Sequence, residues 1–333
     1  MFLSNPSSFT RRVLRQSKFP YKRRNVINPA ERRQYIATGN SAVGAGGTSD
    51  ANTYCQELVR KHDYEAYLCS YFYPRSAQPG YFALRAFNIE LAMIRETVSR
   101  PIIGKMRMQF WRDAVKSIND NRPMKHPIVI ALHEASQNAH GKLHPYHLKR
   151  MIDARDEDLD RESHMTLEGV TQYAESTSST LLYLLLGLLH QGHSDILSHA
   201  ASHVGIAHSF ATLLRALPFH ASKRRMIIPV EITAKHGVRQ EEVFRTGGDA
   251  QGIDDAVFEF ATVANDHIIT ARDTFKDSGV PDEAMPVFLS AVPVASFLSR
   301  LEAVNFDAFA PQLQAKSWKL PLNIWRASRV RKF

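Results

Sequence analysis

The chain has 333 residues, of which 44% are hydrophobic and 23% charged, a mix that excludes general disorder and collagen-like structure and allows a sizeable core. Two cysteines, Cys55 and Cys69, are too few for a secreted disulfide framework and read as plain thiols in a reducing compartment. The longest purely apolar run, residues 181–189, is about half of what a membrane-spanning helix needs.

The net charge of +9 is concentrated at one end. Residues 1–49 carry nine basic side chains against the single acid Glu31, so the remaining chain is close to neutral and no nucleic-acid partner is expected. An Arg-rich, Ser-containing, nearly acid-free start is the composition of a mitochondrial transit peptide, here over residues 1–35. Phe2, Leu3, Phe9, Val13 and Leu14 supply the apolar side of a short amphipathic helix. Arg33-Gln34-Tyr35 followed by Ile36-Ala37 resembles a matrix-peptidase cleavage site. Residues 36–50 form a Gly/Ser-rich linker. The competing reading of this end is a disordered basic arm that binds RNA or lipid.

From Ala51 onward helical periodicity dominates. Asn52 or Thr53 caps a first helix through Tyr54, Leu58 and Val59, and Pro74, Pro79 and Gly80 punctuate its end. A long helix follows from Tyr81 to about Arg100, stopped by Pro101. The next, 102–118, is expected to turn Met106, Phe110 and Val115 inward. Further helices are expected at 127–139, 145–160, 166–190, 193–217, 254–278 and 284–304, with 218–229 and 311–322 as loops. Helices 181–189 and 284–298 are apolar on more than one face and should be central. The expectation is an all-α fold, one helical domain over residues 51–333 behind a disordered leader.

Several constellations have the residue types for chemistry. Asp153, Asp156 and Asp160 fall on one helix face, a candidate Mg²⁺ site or, on the simpler view, an acidic surface balanced by Arg155 and Arg161. Histidines gather at 190, 193, 199, 203 and 208; His199 and His203 have metal-ligand spacing but lack the glutamate of a zinc-protease motif. There is no P-loop, no nucleophile elbow and no dinucleotide fingerprint.

The stretch from Gly205 to Pro229, GIAHSFATLLRALPFHASKRRMIIP, resembles the second motif region of squalene/phytoene synthases, with Gly205, Ala207, Leu214, Arg215, Ala221, Arg225 and Pro229 in register. Tyr81-Phe82-Ala83-Leu84-Arg85-Ala86-Phe87 is similar to the segment before that family's first acidic motif, and Trp111-Arg112-Asp113 to its W-R-D/E element. The resemblance covers most of residues 53–300. It implies an isoprenoid-synthase-like all-α fold, in which active members hold Mg²⁺ with two Asp-x-x-x-Asp motifs on facing helices.

In this chain the same register places Ala92 and Glu96 in the first motif and Ala216 and His220 in the second, with Phe219 beside the latter and Pro218 in a turn between them. A shifted register puts Glu90 and Ile94 in the first motif. The phosphate-contacting segment reads Asp63-Tyr64-Glu65-Ala66-Tyr67. Alanine offers no oxygen ligand and histidine suits Mg²⁺ poorly, so no metal and no cofactor are expected. Arg215, Lys223, Arg224 and Arg225 keep positive charge nearby, either to grip an anion or partner or as a solvated basic turn.

Phe87-Asn88-Ile89-Glu90-Leu91-Ala92, Met106-Arg107-Met108-Gln109-Phe110-Trp111, Tyr173-Ala174-Glu175 and Leu320-Pro321-Leu322 are similar to one non-catalytic branch of that superfamily, the mitochondrial assembly factors of respiratory complex I. That resemblance implies complex I subunits or assembly intermediates as partners and peripheral association with the matrix side of the inner membrane. An active prenyltransferase using the Asp153–Asp160 stripe and a binding module for a phosphorylated or isoprenoid ligand are the alternatives. The basic, apolar segment Leu320 to Phe333 suits either a membrane surface or packing on its own domain.

Overall fold

A computed structural model describes residues 48–98, 100–138, 143–161 and 163–333. The expected transit peptide, its cleavage site and most of the linker lie outside these residues. Every regular element described is a helix, with no strand among the described residues. The first, α1, spans Thr48–His62, so the last residues of the expected linker are already helical. There follow α2 (Tyr64–Ser70), α3 (Gln78–Thr97), α4 (Pro101–Asn119), α5 (Pro127–Asn138) and α6 (Pro145–Leu159). Next come α7 (Leu167–Ala174), a π-helical turn (Glu175–Ser179), α8 (Thr180–Leu188) and α9 (Asp195–Ser222). The chain ends with α10 (Val230–Lys235), α11 (Gln240–Thr246), α12 (Ile253–Asp273), α13 (Met285–Phe288), α14 (Ala291–Glu302) and α15 (Leu320–Val330).

Local chemistry sets these boundaries. Proline opens α3, α4, α5 and α6, where its missing N–H costs nothing. Asp63 caps α2 by accepting from the Ala66 N–H at 3.0 Å, and Ser194 caps α9 by accepting from that of Leu197 at 3.3 Å. Pro101 therefore starts α4, four residues after the last residue of α3, Thr97.

The core runs along α9 and α12, which pack side by side with Phe210 stacked on Phe260 at 4.4 Å. The central apolar helices behave as their composition predicts: Leu181, Leu182, Leu184, Leu185, Leu186, Val287 and Phe288 are all buried. Gly205 of α9 lies against the π turn, where an added Cβ would sit 2.4 Å from the Ser179 Cα. Ser179 donates to the Ser202 carbonyl at 2.9 Å across the same contact. The family-like glycine is thus a close-approach residue.

Three expectations need correction. Met106 (68% exposed) and Phe110 (39%) point outward from α4; Met108, Trp111, Ala114 and Ile118 face inward with Val115. The stripes are offset by less than a turn, and both are apolar, so periodicity alone could not choose between them. Pro218 does not sit in a turn: α9 continues through it to Ser222, which also removes the start of the expected loop. Buried Leu214, Leu217 and Ala221 hold the helix on both sides of the missing hydrogen bond. The expected loop 311–322 contains a 3₁₀ turn, Pro311–Gln314, and the first residues of α15.

Candidate functional site

The two expected motif positions that carry polar side chains meet across the helices. Glu96 on the last turn of α3 and His220 on the last turn of α9 approach to 3.9 Å between Oε1 and Nδ1. The other oxygen, Glu96 Oε2, accepts from Lys223 Nζ at 2.6 Å. Lys223 also lies 4.2 Å from the ring centroid of Phe219. The partner positions, Ala92 and Ala216, carry no ligand atom. Glu90, of the shifted register, has a different environment: burial raises its pKa, while Arg107 of α4 opposes the shift.

Behind this pair stands a second carboxylate, Asp158, near the end of α6 and nearly buried. Arg95 reaches its Oδ2 at 2.6 Å, Arg225 approaches the same oxygen at 3.4 Å, and His164 Nε2 lies 3.5 Å from Oδ1. Arg95 donates as well to the carbonyls of Asp158 and Arg161. Burial lowers the pKa of His220, assisted by Arg225, and lowers that of His164 against the opposing pull of Asp158. Burial also lowers that of Arg225, which Asp158 partly restores. Three cations and two carboxylates thus stand here in two sets, Lys223 with Glu96 and both Arg95 and Arg225 with Asp158.

Its electrostatics differ from those of a magnesium site. A hard divalent cation takes several carboxylate oxygens as ligands. Here a lysine ammonium occupies the surviving motif carboxylate and two guanidiniums share the other. Among the described residues no group of three or more His, Cys, Asp or Glu side chains is arranged to hold a metal ion.

The four basic residues singled out from the sequence do not form one patch. Lys223 pairs with Glu96 and Arg225 with Asp158, whereas Arg224 turns outward to Glu241 at 2.5 Å. Arg215 lies apart, bonded to Glu65 at 2.7 Å and near the Phe297 ring. Each has a carboxylate partner.

Glu65 belongs to the altered segment 63–67, and its neighbour Asp63 lies 3.8 Å from the buried guanidinium of Arg85. Burial disfavours the charge of Arg85, but Tyr81 and Asp63 outweigh it and its pKa rises. The guanidinium lies 5.5 Å from the Tyr81 ring centroid, and the Tyr81 hydroxyl donates to the Ala66 carbonyl at 2.7 Å. Burial, reinforced by Arg85, pushes His208 down to about 4. The interior beside α2 and α3 is therefore built around a buried cation.

The other sequence candidates resolve into structural pairs. The Asp153–Asp160 stripe faces α4: Arg112 reaches Asp153 at 2.9 Å and Asp156 at 2.6 Å, and Lys105 reaches Asp160 at 2.6 Å. The balancing cations are thus not the local Arg155 and Arg161, which bond instead to Asn88 and Glu157. His203 of α9 meets His267 of α12 with 2.7 Å between their Nδ1 atoms, while the exposed His199 meets His203 edge-on. Burial pushes the thiols of Cys55 and Cys69 up to about 12, so both are inert core residues.

Sequence reasoning missed Arg95 and the hub role of Asp158. The available signal was the second of two arginines in the apolar α3 pattern, three residues after Ala92.

Two motif helices face each other in an all-helical fold, with the family's close-approach glycine in place; these features define a squalene/phytoene synthase scaffold. The squalene/phytoene synthase family model matches residues 59–326, and the chain belongs to that family. The chain is 41% identical over 293 residues to NADH dehydrogenase (ubiquinone) complex I, assembly factor 6 of Bos taurus, a match covering 87% of this chain and 86% of that protein. To the Homo sapiens protein of the same name it is 40% identical over 291 residues, covering 86% and 85%. Squalene synthase HpnC from Alicyclobacillus acidocaldarius shares the fold with a TM-score of 0.68 at 15% identity, covering 81% of this chain and 99% of that one.

Proposed function

We propose that this protein is a non-catalytic assembly factor for respiratory complex I, imported into mitochondria and acting on a nascent subunit at the matrix face of the inner membrane. The observation that carries the non-catalytic part is the 2.6 Å pair between Lys223 and Glu96. The last motif carboxylate is committed to a side chain of the same protein, so diphosphate departure has no metal to stabilise it. The assembly part is supported by relatives of that name that align along most of both chains. The basic leader supports import. Peripheral attachment accords with the described helices, none of which is long and apolar enough to cross a membrane. The four paired cations weigh against the phosphorylated-ligand alternative.

The test has two arms. Expression in cells lacking their own copy should restore mature complex I on native gels, and affinity purification from mitochondria should recover a complex I subunit. Purified protein should show no Mg²⁺-dependent turnover of farnesyl or geranylgeranyl diphosphate. Product formation abolished by Glu96→Ala would return the protein to the prenyltransferases.

A further inference from the structure

We propose that the outer face of α15, together with the exposed tyrosines of α2, is the surface by which this protein rests on an anionic lipid bilayer. The inference rests on the reading that the protein works at a membrane, and it names the face that makes the contact.

The argument starts from charge. Residues 308–333 contain six cations, Lys316, Lys319, Arg326, Arg329, Arg331 and Lys332, and no Asp or Glu. Among the described residues only Arg331 has a carboxylate within ion-pair distance, Asp282 at 3.5 Å. The cations of the motif cleft are all paired, whereas five of the six on this face have no carboxylate partner among the described residues.

Apolar exposure coincides with this charge. Trp318 is 81% exposed, Leu322 52%, Trp325 49% and Val330 63%. Trp318, Leu322, Trp325 and Arg329 follow at i, i+4, i+7 and i+11, one stripe of the helix and the turn before it. The opposite stripe, Leu320, Ile324 and Ala327, is buried in the domain. The helix is therefore held by one side and presents the other. The chain's third tryptophan, Trp111, is buried at 4% exposure.

The tertiary structure extends the face. Lys316 Nζ sits 4.2 Å from the ring centroid of Tyr64, which stacks on Tyr67; Tyr71 beyond it is 64% exposed. Phe72 lines one cleft with Trp325 and Arg329. Exposed tryptophan and tyrosine rings interleaved with lysine and arginine match the bilayer interface, where an apolar layer lies just beneath an anionic one. A second copy of the chain would bring like charges together, which disfavours a symmetric dimer through this face.

The test uses the full-length protein with vesicles of phosphatidylcholine and phosphatidylglycerol, part of the phosphatidylcholine being brominated to quench tryptophan. The basic leader can itself bind such vesicles, but it contains no tryptophan, so quenching reports the C-terminal face. Emission should be quenched in the anionic vesicles and not in pure brominated phosphatidylcholine. Trp318→Phe with Trp325→Phe should leave only unquenched Trp111. Arg326→Glu with Arg329→Glu should weaken quenching-detected binding more than about tenfold, at about 1 kcal/mol per cation near the surface. Vesicle binding without quenching, charge reversal without effect, or absence of binding while an acidic protein surface still captures the chain would each overturn the proposal. Because the assay contains only protein and lipid, its failure would leave the assembly reading standing. A failed complementation in cells would leave the vesicle result unchanged.

Discussion

The motif cleft and the C-terminal face carry similar cations in opposite circumstances. In the cleft, Arg95 and Arg225 are held by Asp158 largely out of water, and the more exposed Lys223 is held by Glu96. On α15 the cations stand in solvent beside exposed rings, with one carboxylate, Asp282, in the same cleft as Trp325 and Arg329. Cations already bound to carboxylates serve the fold, whereas free ones are available to something outside it. The scaffold's ancestral pocket is thus the less promising place to seek this protein's present contacts.

This contrast can be broken first at Asp158. Asp158→Ala would strand two guanidiniums and should lower unfolding free energy by about 3 kcal/mol, read as a fall in the urea midpoint. An unchanged midpoint would mean that the cleft is not held by its charges. Next in size, Gly205→Ala forces a Cβ into the Ser179 backbone and should cost about 2 kcal/mol in the same assay. Wild-type stability in that variant would show that the α9–π-turn contact is loose.

Acidification provides a third test. Burial is the leading cause of lowered pKa values for His126, His147, His164, His203, His208, His220 and His267. The folded state therefore binds fewer protons than the unfolded one below about pH 6.5. Their contribution is fully present above that pH and is lost as pH falls, through about 4 for His208. The melting temperature should fall steadily over this window; a flat profile would contradict it.

The smallest effects sharpen the comparison. Glu96→Gln removes a partly exposed pair and should cost about 1 kcal/mol or less while leaving complex I assembly intact. Arg326→Glu with Arg329→Glu should leave the urea midpoint within about 0.5 kcal/mol of wild type, since both side chains are exposed. Marked destabilisation there would show that α15 uses those cations internally.

Much of this molecule follows from local chemistry. Prolines and hydrophobic spacing mark α3 to α6 within a few residues, and continuous leucines mark α8 as central, because helix propensity and burial are read from neighbours along the chain. That Ala92 and Ala216 offer no oxygen where the resemblance aligns the motifs is equally plain from the sequence. Which of two apolar stripes on α4 faces the core was decided only by packing against α6, where Arg112 and Lys105 meet the Asp153–Asp160 stripe. Pro218 was compatible with a break until buried neighbours held the helix through it. Above all, whether a cation is paired or free depends on carboxylates far along the chain. Lys223 and Glu96 lie 127 residues apart and Arg95 and Asp158 63, while Arg326 and Arg329 find no such partner among the described residues. Charge type is written in the sequence, but a charge's partner is set by distance in space.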